Sequence, residues 1–529
     1  MKHNRLWWVL TAVVVIAGAV LRLSHLSQRP LHTDEAVHAD KCGILLDQGI
    51  YRYDPNEYHG PTLNYLSVLI AKLRGQTSYQ ALDEITLRLG PALIGLLTVL
   101  LPLGLWGLLD KRIIFLSMAF TALSPAMVYY SRYYIQETLL VCFTVGLWVC
   151  IGRYLKHPRL TWVVLGGVCA GLMHATKETC MIAFGCIAVA GWIAGYGFRD
   201  KDKFKVKPLH GIIWLSVALL TSATLYSCFF TYGQGILDSW KTYGTYLQRA
   251  GTEGTSHHHG GFYYLDLLTW VEFLEWPPWN EDYTIIAGLL GVWWAFRQEI
   301  RTATHSGLIR WLALYTALML LIYSLIPYKT PWCVLGFLHG LILLSAFATV
   351  EFYRWSRTRS ERMLIWGFVV LFGLASPVAQ ATAQTFKYDA DPTNPYVYAH
   401  TSRDIFPLVD SVNRVVKAMP GAAEPVIQVV CPDRDYWPLP WYLRHCHRVG
   451  YWTRVDPNVP AGDIIIAHAS MQQPLLDLLY ERPAPGQKTL YVPLCDEAVQ
   501  LRPGVPLQCY IRKDLWDLVR RQQHEQTQP

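Results

Sequence analysis

The sequence predicts a mainly α, polytopic membrane protein of about eleven spans, with a C-terminal extracytoplasmic α/β domain. Three observations carry this. Only 16% of the 529 residues are charged, against about 25% in soluble domains, and the deficit is concentrated in apolar blocks. Basic residues recur in alternate connections between those blocks. From about Thr385 the composition turns into that of an ordinary soluble domain.

The apolar blocks cover residues 7–23, 89–109, 113–130, 138–155, 160–175, 180–197, 211–230, 283–296, 308–326, 332–348 and 363–379. Several fall short of the ~20 residues a straight spanning helix needs and are expected to tilt, to extend into flanking aromatics or to thin the bilayer locally. For the first block a cleaved signal peptide is the alternative, but no small-x-small site follows it, because Arg22, His25 and Gln28 occupy that stretch. One set of connections holds Lys2, Arg5, Lys111, Arg112, Arg153, Lys156, Arg159, Arg199, Lys201, Lys203, Lys205, Lys207, Arg297, Arg301, Arg310, Arg354, Arg357, Arg359 and Arg362. This positive-inside pattern puts the N-terminus in the cytoplasm and the C-terminal domain outside. The net charge of +7 is therefore a matter of topology and is not read as nucleic-acid binding.

The domain reading is 1–380 for the transmembrane part, with outer loops 24–86 and 231–282, and 381–529 for the outer domain. After the first span, "HGPTLNYLSVLIAKL" repeats Leu63, Leu66, Ile70 and Leu73 at helical spacing, with Asn64 off the stripe, and predicts an interfacial helix. The 231–282 loop is read as irregular backbone covering the outer face. In the outer domain "PVIQVVC", "DIIIAH" and "KTLYVPLC" read as strands, and "IFPLVDSVNRVVKAM", "LPWYLRHC" and "SMQQPLLDLLYER" as helices. Their alternation predicts a small α/β sandwich with some parallel pairing and a frayed tail after Arg520. Cys431, Cys446, Cys495 and Cys509 admit three pairings in an oxidising compartment, Cys431–Cys446 with Cys495–Cys509 being one.

Ionised groups near a bilayer are costly enough to be informative, at least ~2.5–3.5 kcal/mol at a span centre. The outer connections hold an unusual set: Asp34 and Glu35 in "HTDEAVHADK", Arg132 and Glu137 in "YYSRYYIQETLL", Lys177 and Glu178 in "HATKETC", Lys329 in "PYKTPW", and His257, His258 and His259 in the long loop. Each has a plainer reading. Asp34 suits a helix N-cap, Arg132 and Glu137 a structural pair, Lys177 and Glu178 an interfacial anchor, the histidines a solvated loop, and Tyr129, Tyr130, Tyr133 and Tyr134 an interface belt. Together, acids, cations and a bilayer match transfer of a sugar from a polyprenyl phosphate. That reaction needs a base for the acceptor hydroxyl and positive charge for the departing phosphate. A transporter or flippase for lipid-linked sugars, or an accessory subunit, is the alternative. Transporters, however, place polar groups at midplane on paired repeats, and no repeat is evident here.

The acid pair after the first span, "HGPTLNYL" and "LSPAMVYYSRYYIQET" resemble the GT-C membrane glycosyltransferases, which include protein O-mannosyltransferases and the aminoarabinose transferase of lipid A. "TDEAVHA", "YDPNEYHGP", "ATKE", "PYKTPW" and "YWPLPWYLR" are most similar to the flippase-activity-associated branch named from archaeal protein glycosylation. His59-Gly60-Pro61 departs at its middle position from the His-Pro-Pro-like element common in these relatives. The resemblance implies a GT-C fold with an outward site, a polyprenyl-phosphate sugar donor, the membrane lipid as surroundings, and an acceptor glycan, lipid or protein. It implies Asp34 as base, Glu35 as its neighbour or a metal ligand, and Glu137 as second acid. Arg132, Lys177 and Lys329 would face the donor phosphate, and Tyr58, His59 and Glu178 would lie at the substrate. A divalent metal ion, used by some of these enzymes, would fall to His258 or His259.

Overall fold

The computed structural model describes residues 2–56, 59–196, 206–250, 257–269, 279–297, 300, 306–419, 424–484, 486, 488–495 and 498–527. The chain forms two compact units. The first comprises Met1–Leu26, Ile44–Thr77 and Asp83–Tyr396, and the second Ser27–Gly43, Ser78–Leu82 and Val397–Pro529. This division differs from a cut at residue 380, because the segment holding Asp34 and Glu35 belongs with the C-terminal part.

In the first unit each of the eleven apolar blocks holds a helix. Among the described residues seven helices are long and apolar enough to cross a membrane: Arg5–Leu23, Glu84–Leu105, Glu137–Lys156, Pro208–Tyr226, Ser306–Leu325, Pro331–Trp355 and Arg359–Phe386. An eighth is the pair Lys111–Leu123 and Pro125–Ser131, bent by 57°. The remaining three, Leu160–His174, Cys180–Tyr196 and Asp282–Arg297, have 15, 17 and 16 residues. Pro331–Trp355 is the centre of the bundle, 89% buried, and packs on Asp282–Arg297, Lys111–Leu123 and Ser306–Leu325. Small residues permit this contact: a Cβ at Gly291 would stand 2.3 Å from the Leu344 carbonyl oxygen.

Two expectations for this unit are corrected. The helix Thr62–Leu73 forms, but its buried face is Leu63, Asn64, Ser67, Ile70 and Ala71, while Leu73 is 78% exposed. Asn64 turns inward because the Tyr134 hydroxyl donates to its Oδ1 at 3.3 Å. The 231–282 loop carries helices Gln234–Ala250 and Tyr263–Leu268. The first buries Gly235, Asp238, Ser239 and Thr242, a helical stripe of small and polar residues that hydropathy does not register.

The second unit is built on six strands: β1 (Ile427–Val430), β2 (Val449–Trp452), β3 (Ile464–His468), β4 (Tyr491–Pro493), β5 (Val499–Arg502) and β6 (Val505–Arg512). Their order is β2-β1-β3-β6-β4, with β5 paired to β6. β1 runs parallel to β2 and β3, and β6 antiparallel to its neighbours. The predicted strands and helices are present. β2, β5 and β6 are additional, because alternate half-buried positions such as Pro506, Gln508 and Tyr510 break the apolar run that would mark a strand. The polar tail past Arg520 continues the helix Lys513–Thr527. The five cysteines of this unit, Cys42, Cys431, Cys446, Cys495 and Cys509, are free thiols, so none of the three pairings open to the last four is formed.

Segments 27–43 and 78–82 are tied into the second unit by specific bonds. The Tyr442 hydroxyl accepts from Leu31 N at 2.8 Å, Thr401 Oγ1 donates to the Leu31 carbonyl at 2.7 Å, and Arg502 reaches Thr33 Oγ1 at 3.1 Å. Arg444 donates to the Leu82 carbonyl at 2.7 Å, and the Tyr79 ring lies edge-on to Trp441.

Candidate active site

The bend at Ser124–Pro125 organises one side of the site. Proline has no N–H, so the carbonyl of Thr121, four residues back, loses its helical donor. Arg22, fully buried in the first helix, supplies replacements at 2.8 Å to the Thr121 carbonyl and 2.8 Å to the Ala122 carbonyl. Past the bend the freed donors find a carboxylate: Glu281 Oε1 accepts from Ser124 Oγ at 2.5 Å and from Ala126 N at 3.2 Å. Burial pushes the Glu281 carboxyl up to about 7, against the lowering effect of those bonds.

The Ser-Arg turn follows. Arg132 Nη1 donates to the carbonyls of Leu21 (3.0 Å), Arg22 (3.2 Å) and Ser24 (2.6 Å), and Nη2 to His25 (3.2 Å). Arg132 is therefore the C-terminal cap of helix Lys2–Leu23, which corrects its expected place at a phosphate. Its donors are committed to carbonyls that the helix end leaves open. Tyr129, Tyr130, Tyr133 and Tyr134 are each at most 1% exposed. They do not form a belt. Tyr129, Tyr130 and Tyr133 pack on one another, and Tyr396 joins Tyr129 and Tyr130, all with ring centroids 5.2–6.0 Å apart.

The centre of the site is a pair of buried ion pairs on consecutive residues. Lys177 Nζ donates to Glu137 Oε1, and Glu137 opens helix Glu137–Lys156, where the helix dipole favours an acid. Glu178 Oε2 lies 2.8 Å from His59 Nδ1, and Glu178 Oε1 accepts the Tyr53 hydroxyl at 2.9 Å. Burial alone would raise the Glu178 carboxyl. The charge and hydrogen bond of His59, together with a backbone N–H and the charge of Lys177, outweigh it and hold the group below its ordinary value. The two turns that bring these residues together touch backbone to backbone. Gly60 N donates to Thr176 O at 3.1 Å and Thr62 N to Ala175 O at 3.2 Å. A Cβ at position 60 would stand 2.2 Å from the Ala175 carbonyl oxygen. Position 60 therefore has no room for a side chain. Tyr58 lies outside the described residues.

Beside this cluster the three histidines form a short bridge with the segment after helix Ser306–Leu325. His258 pairs antiparallel with Tyr328, Lys329 N donates to His257 O at 2.9 Å, and His259 N to Pro327 O at 3.0 Å. The His259 ring stacks on Tyr263 at 4.2 Å. The segment is thus anchored rather than a freely solvated loop. Lys329 is 1% exposed and its Nζ ends on the His259 and Ile326 carbonyls. Burial draws its ammonium below the usual lysine range. Thr330 Oγ1 lies 3.3 Å from Cys333 Sγ, and Cys333 is within electrostatic reach of Lys177 and Glu137. Among the described residues no three His, Cys, Asp or Glu side chains are grouped. Among those residues His258 and His259 belong to no such group.

In the second unit the neighbouring acids separate in role. Glu35 is fully buried. It accepts from His32 N at 2.9 Å and from Arg29 Nη2 at 3.3 Å, closing the N-terminus of helix Thr33–Gln48 in the manner of a capping box. The capping expected of Asp34 thus falls to Glu35, and Glu35 is placed to hold the helix start. The Asp34 side chain stays 45% exposed, its Oδ2 4.0 Å from His32 Nδ1.

The profile of the family described as dolichyl-phosphate-mannose-protein mannosyltransferase matches residues 58–226, the stretch that carries His59, Arg132, Glu137, Lys177 and Glu178. ArnT from Cupriavidus metallidurans, solved bound to undecaprenyl phosphate, superposes with a TM-score of 0.62 at 14% identity, over 96% of this chain and 98% of that one. The archaeal oligosaccharyltransferase AglB from Archaeoglobus fulgidus, solved with an inhibitory peptide and a dolichol-phosphate, gives 0.56 at 11% identity, over 89% and 70%. The chain has the GT-C fold. No curated protein matches it by sequence.

The chain is a multi-pass membrane protein. Within its first unit, His59, Glu137, Lys177 and Glu178 come together as the motifs suggest. Three contributors were not anticipated: Arg22, Glu281 and Tyr53. An arginine inside an apolar run is itself a signal, because it requires a partner. Glu281 lies in the acidic end of "EWPPWNED", but its partner Ser124 is 157 positions away, a separation no local pattern encodes.

Proposed function

We propose that this chain is an integral membrane glycosyltransferase that moves a sugar from a polyprenyl-phosphate donor to an acceptor at the outer face of the cell membrane. In this reading the N-terminus is cytoplasmic and the C-terminal unit extracytoplasmic. The observation that carries it is the charge cluster His59–Glu178 and Lys177–Glu137, set in a GT-C fold beside an apolar cavity. That cavity of about 390 Å³ lies among helices Leu160–His174, Cys180–Tyr196, Pro208–Tyr226 and Gln234–Ala250. Met181, Phe184, Trp214 and His174 line it, and His174 stands three residues before Lys177. An isoprenoid tail in that cavity would put its phosphate within reach of the turn.

The chemistry is direct displacement with inversion. Asp34, whose exposed carboxylate is the free member of the acid pair, takes the proton of the acceptor hydroxyl as its oxygen attacks the sugar carbon. The bond from that carbon to the phosphate oxygen breaks, and the polyprenyl phosphate departs. Lys177 and Lys329 supply positive charge for it, and Glu137 keeps Lys177 ionised and placed. A base of this kind contributes typically ~10²–10⁴-fold in rate. The narrower likeness to the flippase-associated branch rests on the sequence motifs alone.

Reconstitution of the full chain in liposomes with a prenyl-phosphate sugar tests this. Transfer to an acceptor supports it, and Asp34→Asn is expected to abolish transfer while leaving the protein inserted and folded. Movement of the lipid-linked sugar across the bilayer without transfer would replace the reading by a flippase. Undiminished turnover in Asp34→Asn would remove Asp34 from the role of base.

A further inference from the structure

Resting on the transferase reading, we propose that His59 is the general acid of the reaction, protonating the phosphate oxygen that leaves the sugar, with Glu178 as the positioning residue behind it. Glu178 has both oxygens engaged, Oε2 by His59 Nδ1 at 2.8 Å and Oε1 by the Tyr53 hydroxyl at 2.9 Å, and its side chain is 3% exposed. A ring nitrogen that faces a carboxylate carries the proton, so exchange with substrate takes place at Nε2. The His59 backbone is fixed as well: its carbonyl accepts from the Tyr51 hydroxyl at 3.1 Å, and the next residue docks on the Thr176 carbonyl.

Exposure distinguishes His59 from the rest of the cluster. Its side chain is 24% exposed, against 8% for Lys177, 6% for Glu137 and 3% for Glu178. His59 is the member through which the charge network meets its surroundings. The donor phosphate is a diester with one negative charge. When its bond to the sugar carbon breaks, the electron pair stays on oxygen and a second charge develops near two carboxylates. Lys177 and Lys329 offset the charge the phosphate already carries, and their own charge is shared with Glu137 and with backbone carbonyls. A proton passed from His59 Nε2 to that oxygen removes the second charge. The lipid phosphate then leaves as a monoanion and His59 is left neutral. Exchange with water returns the proton to His59.

The test uses the full chain in liposomes with a short prenyl-phosphate sugar and with its phosphorothioate analogue, whose leaving group is less basic and needs protonation less. His59→Gln is expected to lower kcat about 10²–10⁴-fold on the phosphate donor with KM little changed, and about tenfold less on the phosphorothioate. Glu178→Gln is expected to give a smaller loss with the same dependence on donor. If His59→Gln lowers the unfolding midpoint, His59→Lys, which keeps a cation but holds its proton more tightly, is measured in the same way. Wild-type kcat in the variant, or an equal loss on both donors, overturns the acid role and leaves the transferase reading standing. A wild-type protein that turns over neither donor overturns the transferase reading, and the acid role falls with it.

Discussion

Glu281 ties pH to the integrity of the bent helix. Its carboxyl stands at about 7, against 4.5 for the ordinary group, and burial is the largest cause. A carboxyl raised on folding makes the folded state hold its proton more tightly than the unfolded one. The associated stability is fully present below pH 4.5 and is lost as pH rises through about 7. At 1.36 kcal/mol per unit, the difference of 7 − 4.5 corresponds to about 3 kcal/mol across that window. Glu281→Gln keeps an acceptor for Ser124 Oγ and Ala126 N but cannot ionise. Unfolding midpoints of wild type and variant, measured in one detergent from pH 4.5 to 8, are expected to differ by a pH-dependent amount. The variant should gain on the wild type by about 3 kcal/mol between the two ends. Parallel pH profiles would refute the argument, because they would mean that Glu281 ionises as readily inside the protein as outside.

The other perturbations act on the ion pairs and the turn between them. Lys177→Met leaves Glu137 buried without its cation and is expected to cost about 3–5 kcal/mol in unfolding free energy, whereas Lys177→Met with Glu137→Leu recovers most of it; a double variant no more stable than the single would show that the pair is not coupled. Both variants are expected to lose transfer, read as product formed from the prenyl-phosphate donor. Gly60→Ala places a Cβ 2.2 Å from the Ala175 carbonyl oxygen, so the two turns must separate. A destabilisation of about 1–3 kcal/mol, with a fall in kcat, is expected from the same pair of assays.

Much of the site was legible because its residues occur in short motifs at predicted span ends. His59, Glu137, Lys177 and Glu178 could be named from "HGP", "RYYIQE" and "ATKE", and the structure brings them together. Roles were less legible than places. Arg132 looked like a phosphate ligand because a cation beside the bilayer invites that reading, but its donors close the end of a helix 110 positions away. Glu35 and Asp34 are neighbours in sequence and opposite in exposure, because a helix start turns successive side chains in different directions. In the fold, helix Gln234–Ala250 and strand β6 were missed for a shared reason. The helix buries small and polar side chains, and in β6 the buried Val505, Leu507, Cys509 and Ile511 alternate with half-buried Pro506, Gln508 and Tyr510, so neither forms a continuous apolar run.

The sequence by itself determined the apolar helices, the polar composition of the C-terminal part and the chemical inventory between the spans. These follow from local composition and periodicity, which act over a few turns of chain. Only the tertiary structure decided which charges neutralise one another, that Arg22 and Glu281 complete a helix broken at Pro125, and that segment 27–43 joins the C-terminal unit. Those outcomes depend on buried polar groups finding partners on other elements, from 40 residues away for Lys177 and Glu137 to 157 for Ser124 and Glu281. The cost of leaving such groups unpaired acts on the folded chain as a whole and leaves no periodic mark in the sequence.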